Sequence, residues 1–319
     1  MVIKDITPPQ RLILTETLAR RLAKDHYKYP EVEKDLAKRR AGYRGEMVLM
    51  NYLKQLPQDK YFIFHDLQLE VEGVRFQIDT LLLSQYQILI IEAKNIIGSL
   101  TFDNVFKQLI RTNPDGTEEV FEDPRVQAKY HQLLLYRWAT KLGVNILPID
   151  YLVFFSNAKT KLLSKQGDKT DFSRVCKGRN LFLKIDALEK TFQKPMISLQ
   201  KVEEIINLLL SSHSPIPINI LNEYHLTIKD ILTGVRCPRC SFITTIYHRG
   251  KWTCKSCNHS SNETLLEAIH DYFLILKPTI TNSELRLFLH LPSMNISQKI
   301  LKSLNLKFSG SKKNRIYFM

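Results

Sequence analysis

FQIDTLLLSQYQILIIEAKN, residues 76–95, decides how the rest of the chain is read. Two runs rich in Ile and Leu, 76–84 and 87–94, flank a tight turn near Gln85 and Tyr86. Short apolar runs bounded by polar residues have the pattern of buried sheet strands. Asp79 lies inside the first run, and Glu92-Ala93-Lys94 ends the second. Side chains alternate along a strand, so Glu92 and Lys94 share a face and Ala93 points to the other. A hairpin folded at 85–86 returns Asp79 to the neighbourhood of Glu92, since both lie at similar distances from the turn. Three charges then converge on an apolar platform. Burying charge is costly unless the charge is paired or bound to a metal.

Two readings of the cluster follow. In one, the two carboxylates hold a divalent cation through oxygen, with water and phosphate completing the shell. Lys94 then orients or activates the attacking water and offsets charge on the phosphate. In the other, an acid–lysine pair merely caps a sheet end.

Asp79 followed by Glu92-x-Lys94 at the end of an apolar strand resembles the D…(D/E)-x-K signature of restriction-endonuclease-like nucleases. More narrowly, four pieces in this order resemble the nuclease-related domain family: Gly42-x-x-Gly45-Glu46, Gln77-Ile78-Asp79, Ile91-Glu92-Ala93-Lys94-Asn95 and Gln127-x-x-x-His131. The resemblance spans residues 40–156. Gln77 stands where the family more often carries an acid. The fold implied is α/β, a restriction-endonuclease-like mixed sheet flanked by helices. The chemistry implied is phosphodiester hydrolysis, on DNA rather than RNA. Asp79 and Glu92 would hold Mg²⁺ or Mn²⁺, Lys94 would act on water and phosphate, and Glu46 would face the metal from a helix. Gln127 would reach the phosphate or a water. The alternative is a nuclease-like fold that binds DNA without cutting it.

Charge points the same way. The 319 residues carry 46 Lys and Arg against 32 Asp and Glu, a formal net charge of +14. A field that positive favours polyanions; a merely basic soluble protein is the plainer alternative. No apolar run approaches the roughly 18–20 residues that span a bilayer, and the first residues contain no apolar signal core. The expectation is a soluble, cytoplasmic chain without a membrane partner.

Residues 1–60 read as helical, with Pro30 as a breaker. Gly42 and Gly45 are out of place in the second helix unless another backbone approaches closely. Residues 99–122 read as loop-like with a small extra hairpin, and Asp123-Pro124 as the start of a helix to about 142. On that helix His131 reads as a packed or exposed histidine. Residues 149–155 and 181–185 read as strands, and 199–211 as a closing helix. The stiff segment His213-Ser-Pro-Ile-Pro217 suggests a boundary. The expected domains are a nuclease-like domain at 1–212, a linker at 213–235, a zinc ribbon at 236–262 and a winged-helix-like module at 263–319.

The ribbon rests on Cys237-Pro-Arg-Cys240 and Cys254-Lys-Ser-Cys257, four thiolates spaced for one structural Zn²⁺. Two disulfides are the other possibility, in a chain with no sign of secretion. Downstream, Thr264-x-x-Glu267 and Thr281-x-x-Glu284 match the capping-box pattern. Three helices and then a strand, turn and strand resemble a winged helix-turn-helix. From Cys237 onward there are twelve Lys or Arg against four Asp or Glu. Lys299, Lys302, Lys312, Lys313 and Arg315 are therefore the candidate phosphate contacts.

Overall fold

The computed structural model describes residues 1–144, 147–164, 171–192, 194–311 and 314–319. The chain forms two compact units, Met1–Pro9 with Arg39–Pro217 and Gln10–Lys38 with Ile218–Met319. It opens with β1 (Val2–Lys4), α1 (Gln10–Arg21) and α2 (Tyr29–Leu53). Three antiparallel strands follow, β2 (Phe62–Val71), β3 (Val74–Leu83) and β4 (Ile88–Lys94). An insertion supplies β5 (Ser99–Asp103), β6 (Gln108–Thr112) and β7 (Glu118–Glu122). Then come α3 (Pro124–Lys141), β8 (Ile149–Phe155), β9 (Lys161–Leu163), β10 (Val175–Lys177), α4 (Asn180–Glu189) and α5 (Leu199–Ser212).

In the first unit the strands form a mixed sheet in the order β1-β2-β3-β4-β8-β10, with β4, β8 and β10 parallel. Helices α3 and α5 cover one face: Leu134, Leu135, Val202 and Ile205 pack with Ile88 and Ile90. The end of α2 and α4 cover the other, where Leu49, Leu53, Leu181 and Ile185 meet Leu89 and Ile91. This is the expected mixed sheet between helices. β4 alternates between the two cores, so Glu92 continues the side of Ile88 and Ile90, toward α3. Ala93 packs with the α2 core. The insertion forms its own sheet, β7-β6-β5-β9, which buries Leu100, Phe102 and Leu109 against Val153 and Phe155 of β8.

On β3 the alternation slips. Phe76 and Ile78 belong to the α3-side core, and so do Leu81 and Leu83. The change of parity falls at Asp79. Across the ladder, the pairs Leu67–Ile78 and His65–Thr80 bracket Asp66, whose φ is +48°. A left-handed residue there re-aims both strands, as a bulge does, and frees Asp79 from the apolar alternation.

Three expectations are corrected. Residues 181–185 are part of helix α4, because Leu181, Ile185 and Leu188 recur at i, i+4 and i+7 and all are buried. Val2–Lys4 is a strand, held in parallel against β2. The insertion is a three-strand meander joined by β9, larger than a single hairpin. Asp123 caps α3 as expected, its side chain accepting from Arg125 N with Pro124 in the first turn.

The second unit continues with α6 (Ile220–Glu223), β11 (Thr245–His248), β12 (Lys251–Cys254) and β13 (Ser260–Ser261). It ends with α7 (Leu265–Ile275), β14 (Thr279–Thr281), α8 (Asn282–Leu289), α9 (Met294–Ser303), β15 (Lys307–Ser309) and β16 (Ile316–Phe318). The last three-stranded sheet is antiparallel, in the order β14-β16-β15. One core joins Trp252 of the cysteine-rich hairpin to Ala268, Phe288, Leu301 and Tyr317. Residues 236–262 and 263–319 thus share a core. A second core packs Leu14, Leu18 and Leu22 of α1 with Ile220, Tyr224 and Ile275. The N-terminal helix α1, expected within 1–212, therefore belongs to this unit. Segment 213–217 lies on the first unit, with Gln68 bonded to His213, Ser214 and Ile216.

One capping box forms and one does not. Thr281 accepts from Glu284 N, and the Glu284 carboxylate accepts from Thr281 N in return. Thr264 instead donates to Arg236 O, and Glu267 takes the Arg236 guanidinium at 2.8 and 2.9 Å. Both residues of that pattern are spent on Arg236, tying α7 to the first cysteine pair.

Candidate active site and metal centres

The hairpin β3–β4 sets the first site. Its register, Leu83 with Ile88 and Thr80 with Ile91, places Asp79 beside Glu92. Asp79 Oδ2 accepts from Ala93 N at 3.0 Å, which fixes the carboxylate across the strand end. Glu92 is 2% exposed. Its Oε1 accepts from Lys94 Nζ at 2.7 Å, and Lys94 Nζ also donates to Gln127 Oε1 of α3 at 2.9 Å. Lys94 is thus held from two sides. Gln127, expected to reach the phosphate or a water, bonds the ammonium here.

Glu46, on α2, joins the same acidic field. Burial, Asp66 and Glu92 push its carboxyl up to about 7. Burial raises the Asp79 carboxyl well above its ordinary value, with Glu92 and Glu46 adding repulsion. Burial alone would raise Glu92 too, but His131 and Lys94 overcome it and hold that carboxyl below its usual range. Burial works against the Lys94 ammonium, and Glu92 and Asp79 reverse the sign, so Lys94 stays cationic to higher pH than a free lysine.

Two further neighbours flank the site without a role expected from the sequence. His131 Nδ1 lies 3.6 Å from Glu92 Oε2, beyond hydrogen-bond range. Neither atom has a hydrogen-bond partner among the described residues. The available signal was its spacing, one helical turn after Gln127. Asp66 had no such signal. Gly45 is a true close approach: a Cβ there would meet Asn95 Cβ at 2.8 Å and Ser156 Oγ at 2.9 Å. Asn95 Nδ2 donates to Ala41 O at 2.7 Å, and its Oδ1 accepts from Asn157 Nδ2 at 3.0 Å. The helix carrying Glu46 is pinned in this way to the strand ends carrying Lys94 and Ser156. Gly42 has open space around it, so its glycine has no packing reason.

The family comparison fits this arrangement. Residues 41–156 match the family model described as nuclease-related domain. This region is a nuclease-related domain. Glu46, Asp79, Glu92, Lys94, Gln127 and His131 all lie within it. No curated protein and no solved structure matches the chain.

The nuclease-related domain has donors that suit a hard divalent cation. Glu92 Oε2 is a buried carboxylate oxygen with no hydrogen bond among the described residues, 3.6 Å from His131 Nδ1, and a buried acceptor left unsatisfied is costly. A cation there would satisfy it and relieve the repulsion among Asp79, Glu92 and Glu46. Mg²⁺ keeps several waters and needs few protein carboxylates, so a pair is enough.

The four cysteines form the second centre. Among the described residues they are the one set of three or more potential ligands whose atoms all lie within 4.8 Å of one another. Cys237 Sγ and Cys257 Sγ are 3.6 Å apart, Cys240 Sγ and Cys254 Sγ 3.5 Å. Zn–S bonds of about 2.3 Å in a tetrahedron put sulfurs roughly 3.8 Å apart. Disulfides need about 2.05 Å, and all four thiols are free. Each pair ends in a matching turn: Ser241 N donates to Cys237 O and Asn258 N to Cys254 O, both at 2.9 Å. Ser241 and Asn258 both have positive φ. Between the pairs, Arg249 and Gly250 at φ +44° and +85° make the tight β11–β12 turn.

Since Trp252 belongs to the shared core, metal loss should reach beyond the loops. The purified chain is expected to carry about one zinc, and its removal should loosen residues 236–262 and expose Trp252. Metal analysis, with Trp252 fluorescence read in a Trp138→Phe background, measures both. Metal-free protein with unchanged Trp252 emission would remove the zinc assignment.

Of the candidate phosphate contacts, Lys299 and Lys302 are exposed on α9. The Arg315 guanidinium lies 4.3 Å from the centroid of Phe308. Lys312 and Lys313 lie outside the described residues. No helix among the described residues is long and apolar enough to cross a membrane.

Proposed function

We propose that the chain is a divalent-metal-dependent nuclease that hydrolyses phosphodiester bonds, with DNA as its substrate. The observation that carries this reading is the buried Glu92 Oε2, which has no hydrogen bond among the described residues, beside Asp79 and a lysine clamped by Glu92 and Gln127. Asp79 and Glu92 would hold Mg²⁺ or Mn²⁺. The cation supplies positive charge against the scissile phosphate and makes water more acidic. Lys94, kept as an ammonium, is a donor and not a base. It offsets charge on the phosphate oxygens and orients the attacking water. Gln127 fixes its direction. Glu46, which shares the acidic field of Asp66 and Glu92, would face the metal from α2 and support the pair.

The second unit is the nucleic-acid-binding part of this proposal. One Zn²⁺ held by Cys237, Cys240, Cys254 and Cys257 would form a zinc ribbon. The order α7-β14-α8-α9-β15-β16, with the strands arranged β14-β16-β15, supports a winged-helix-like module. Lys299, Lys302 and Arg315 would meet phosphates, as would Lys312 and Lys313.

The test is cleavage by the full chain of supercoiled plasmid, linear duplex and single-stranded DNA. Cutting is expected with Mg²⁺ or Mn²⁺ and not without added metal. Binding without cutting in either metal would overturn the nuclease reading in favour of a DNA-binding adaptor.

A further inference from the structure

We propose that α9 is a base-reading helix for duplex DNA, with Asn295 and Gln298 reading base edges and Lys299 and Lys302 holding phosphates. The inference rests on the proposal that the second unit binds nucleic acid, and it adds that the binding selects sequence.

The sequence of α9 divides cleanly around the helix. Ser297 and Leu301 are buried, and Ile296, Ile300 and Leu304 pack against the same core. Ser293 caps the helix, its side chain accepting from Ile296 N. Ser297 Oγ donates to Asn282 O at 3.0 Å, which locks α9 onto the start of α8. The opposite face is Asn295, Gln298, Lys299 and Lys302, all exposed. Their spacing of i, i+3, i+4 and i+7 makes one stripe. None of the four side chains has a hydrogen bond or ion pair among the described residues.

A solvated helix face is the plainer explanation, and α4 and α5 give two such faces for comparison. Asp186 of α4 pairs with the exposed C-cap Lys190, and on α5 Lys201 pairs with Glu204. On these two helices signs are mixed and the cations have partners. On α9 there is no acid at all, and none follows Glu284 to the end of the chain. Two amides and two unpaired ammoniums on a rigid helix are a different composition.

That composition names its partner. Asn and Gln side chains match the donor and acceptor edge of adenine in the major groove, and lysines match phosphates. A ten-residue helix is about 15 Å long and fits a groove about 12 Å wide. Asn295 and Gln298 sit in its first half, the part of a helix-turn-helix recognition helix that reaches bases. Residues 290–293 form the turn before it, with His290 in the left-handed region at φ +55°. The deep, narrow major groove of A-form RNA excludes such a helix, so duplex DNA is the partner.

The experiment is selection of randomised duplexes by the full chain, with neither divalent metal nor chelator added. Zinc then stays in place and cutting is suppressed. A short motif containing adenines is expected. Asn295→Ala with Gln298→Ala should lose about tenfold or more of that preference and keep its affinity for unrelated duplexes. Lys299→Ala with Lys302→Ala should weaken all sequences alike and lower the log–log salt slope by about 1.8. No enriched motif, the same motif after loss of both amides, or equal binding of an RNA duplex would overturn the inference. A chain that selects a motif but never cuts with Mg²⁺ keeps the inference and loses the nuclease reading. A chain that cuts but selects nothing does the reverse.

Discussion

Glu92→Gln is expected to lower metal-dependent cleavage by about a thousandfold or more while leaving the first unit as stable as before. The substitution keeps an oxygen where Oε1 accepts from Lys94, so the ammonium keeps its place. It removes the charge whose second oxygen is buried without a hydrogen bond among the described residues. A cation at a phosphoryl site supplies several kcal/mol of charge stabilisation, and about 4 kcal/mol is three powers of ten in rate. Stability has opposing terms. The Lys94–Glu92 ion pair weakens, but repulsion of Asp79 and Glu46 by Glu92 disappears. With these terms opposed, the net change should fall well below the about 3–5 kcal/mol of a buried pair broken from one side.

This prediction separates the two readings of the charge cluster. A pair that only caps the sheet end would leave any cleavage intact. Urea unfolding, cleavage rate and Mg²⁺ titration by calorimetry on the same preparation decide between them. Full cleavage by Glu92→Gln would end the assignment of Glu92 as a metal ligand. Asp79→Asn should follow Glu92→Gln in losing Mg²⁺ affinity, since its carboxylate is the other half of the pair.

The site was legible in the sequence where a local rule located it. Alternation and a tight turn put Asp79 opposite Glu92 and gave Lys94 its face, and the register agrees. A glycine inside a helix pointed to a close approach, and Gly45 lies against Asn95 and Ser156. The same rule applied to Gly42 found nothing. Gln127 and His131 share a helix face by spacing, yet only the fold brings them to Lys94 and Glu92. Asp66 was invisible because its importance comes from a left-handed φ in mid-strand, which no residue type announces. The window Leu-Phe-Leu-Lys-Ile at 181–185 is too short for periodicity to separate helix from strand. Only the later Leu188 shows the helical spacing. Domain limits were the least legible part. Contacts that set them are distant in sequence, and α1 lies two hundred residues from the core it joins.

The contact that fixes α1 to that core carries the second large prediction. Arg21 and Asp271 are each 1% exposed and bonded at 2.8 Å, from Arg21 Nε to Asp271 Oδ2. Arg20 adds a bond to Asp271 Oδ1 at 2.7 Å. Arg21 Nη1 also donates to Gly234 O at 2.7 Å, and its guanidinium lies 5.1 Å from the Phe288 ring centroid. Asp271→Ala leaves a guanidinium buried without its counter-ion. Breaking such a pair from one side costs about 3–5 kcal/mol, because the remaining charge is uncompensated. The second unit should therefore lose most of its stability, a large share of the about 5–15 kcal/mol typical of a domain. Replacing both partners, Arg21→Met with Asp271→Leu, removes the stranded charge and should recover about half of the loss. The shortfall is the donors lost by Leu232 O and Gly234 O. Limited proteolysis should open residues 10–38 and 218–319 together in Asp271→Ala while the nuclease-related domain stays protected. If the single substitution costs less than about 1 kcal/mol, the pair does not hold α1 to this core. If the double variant is no more stable than the single, buried charge is not the reason for the loss.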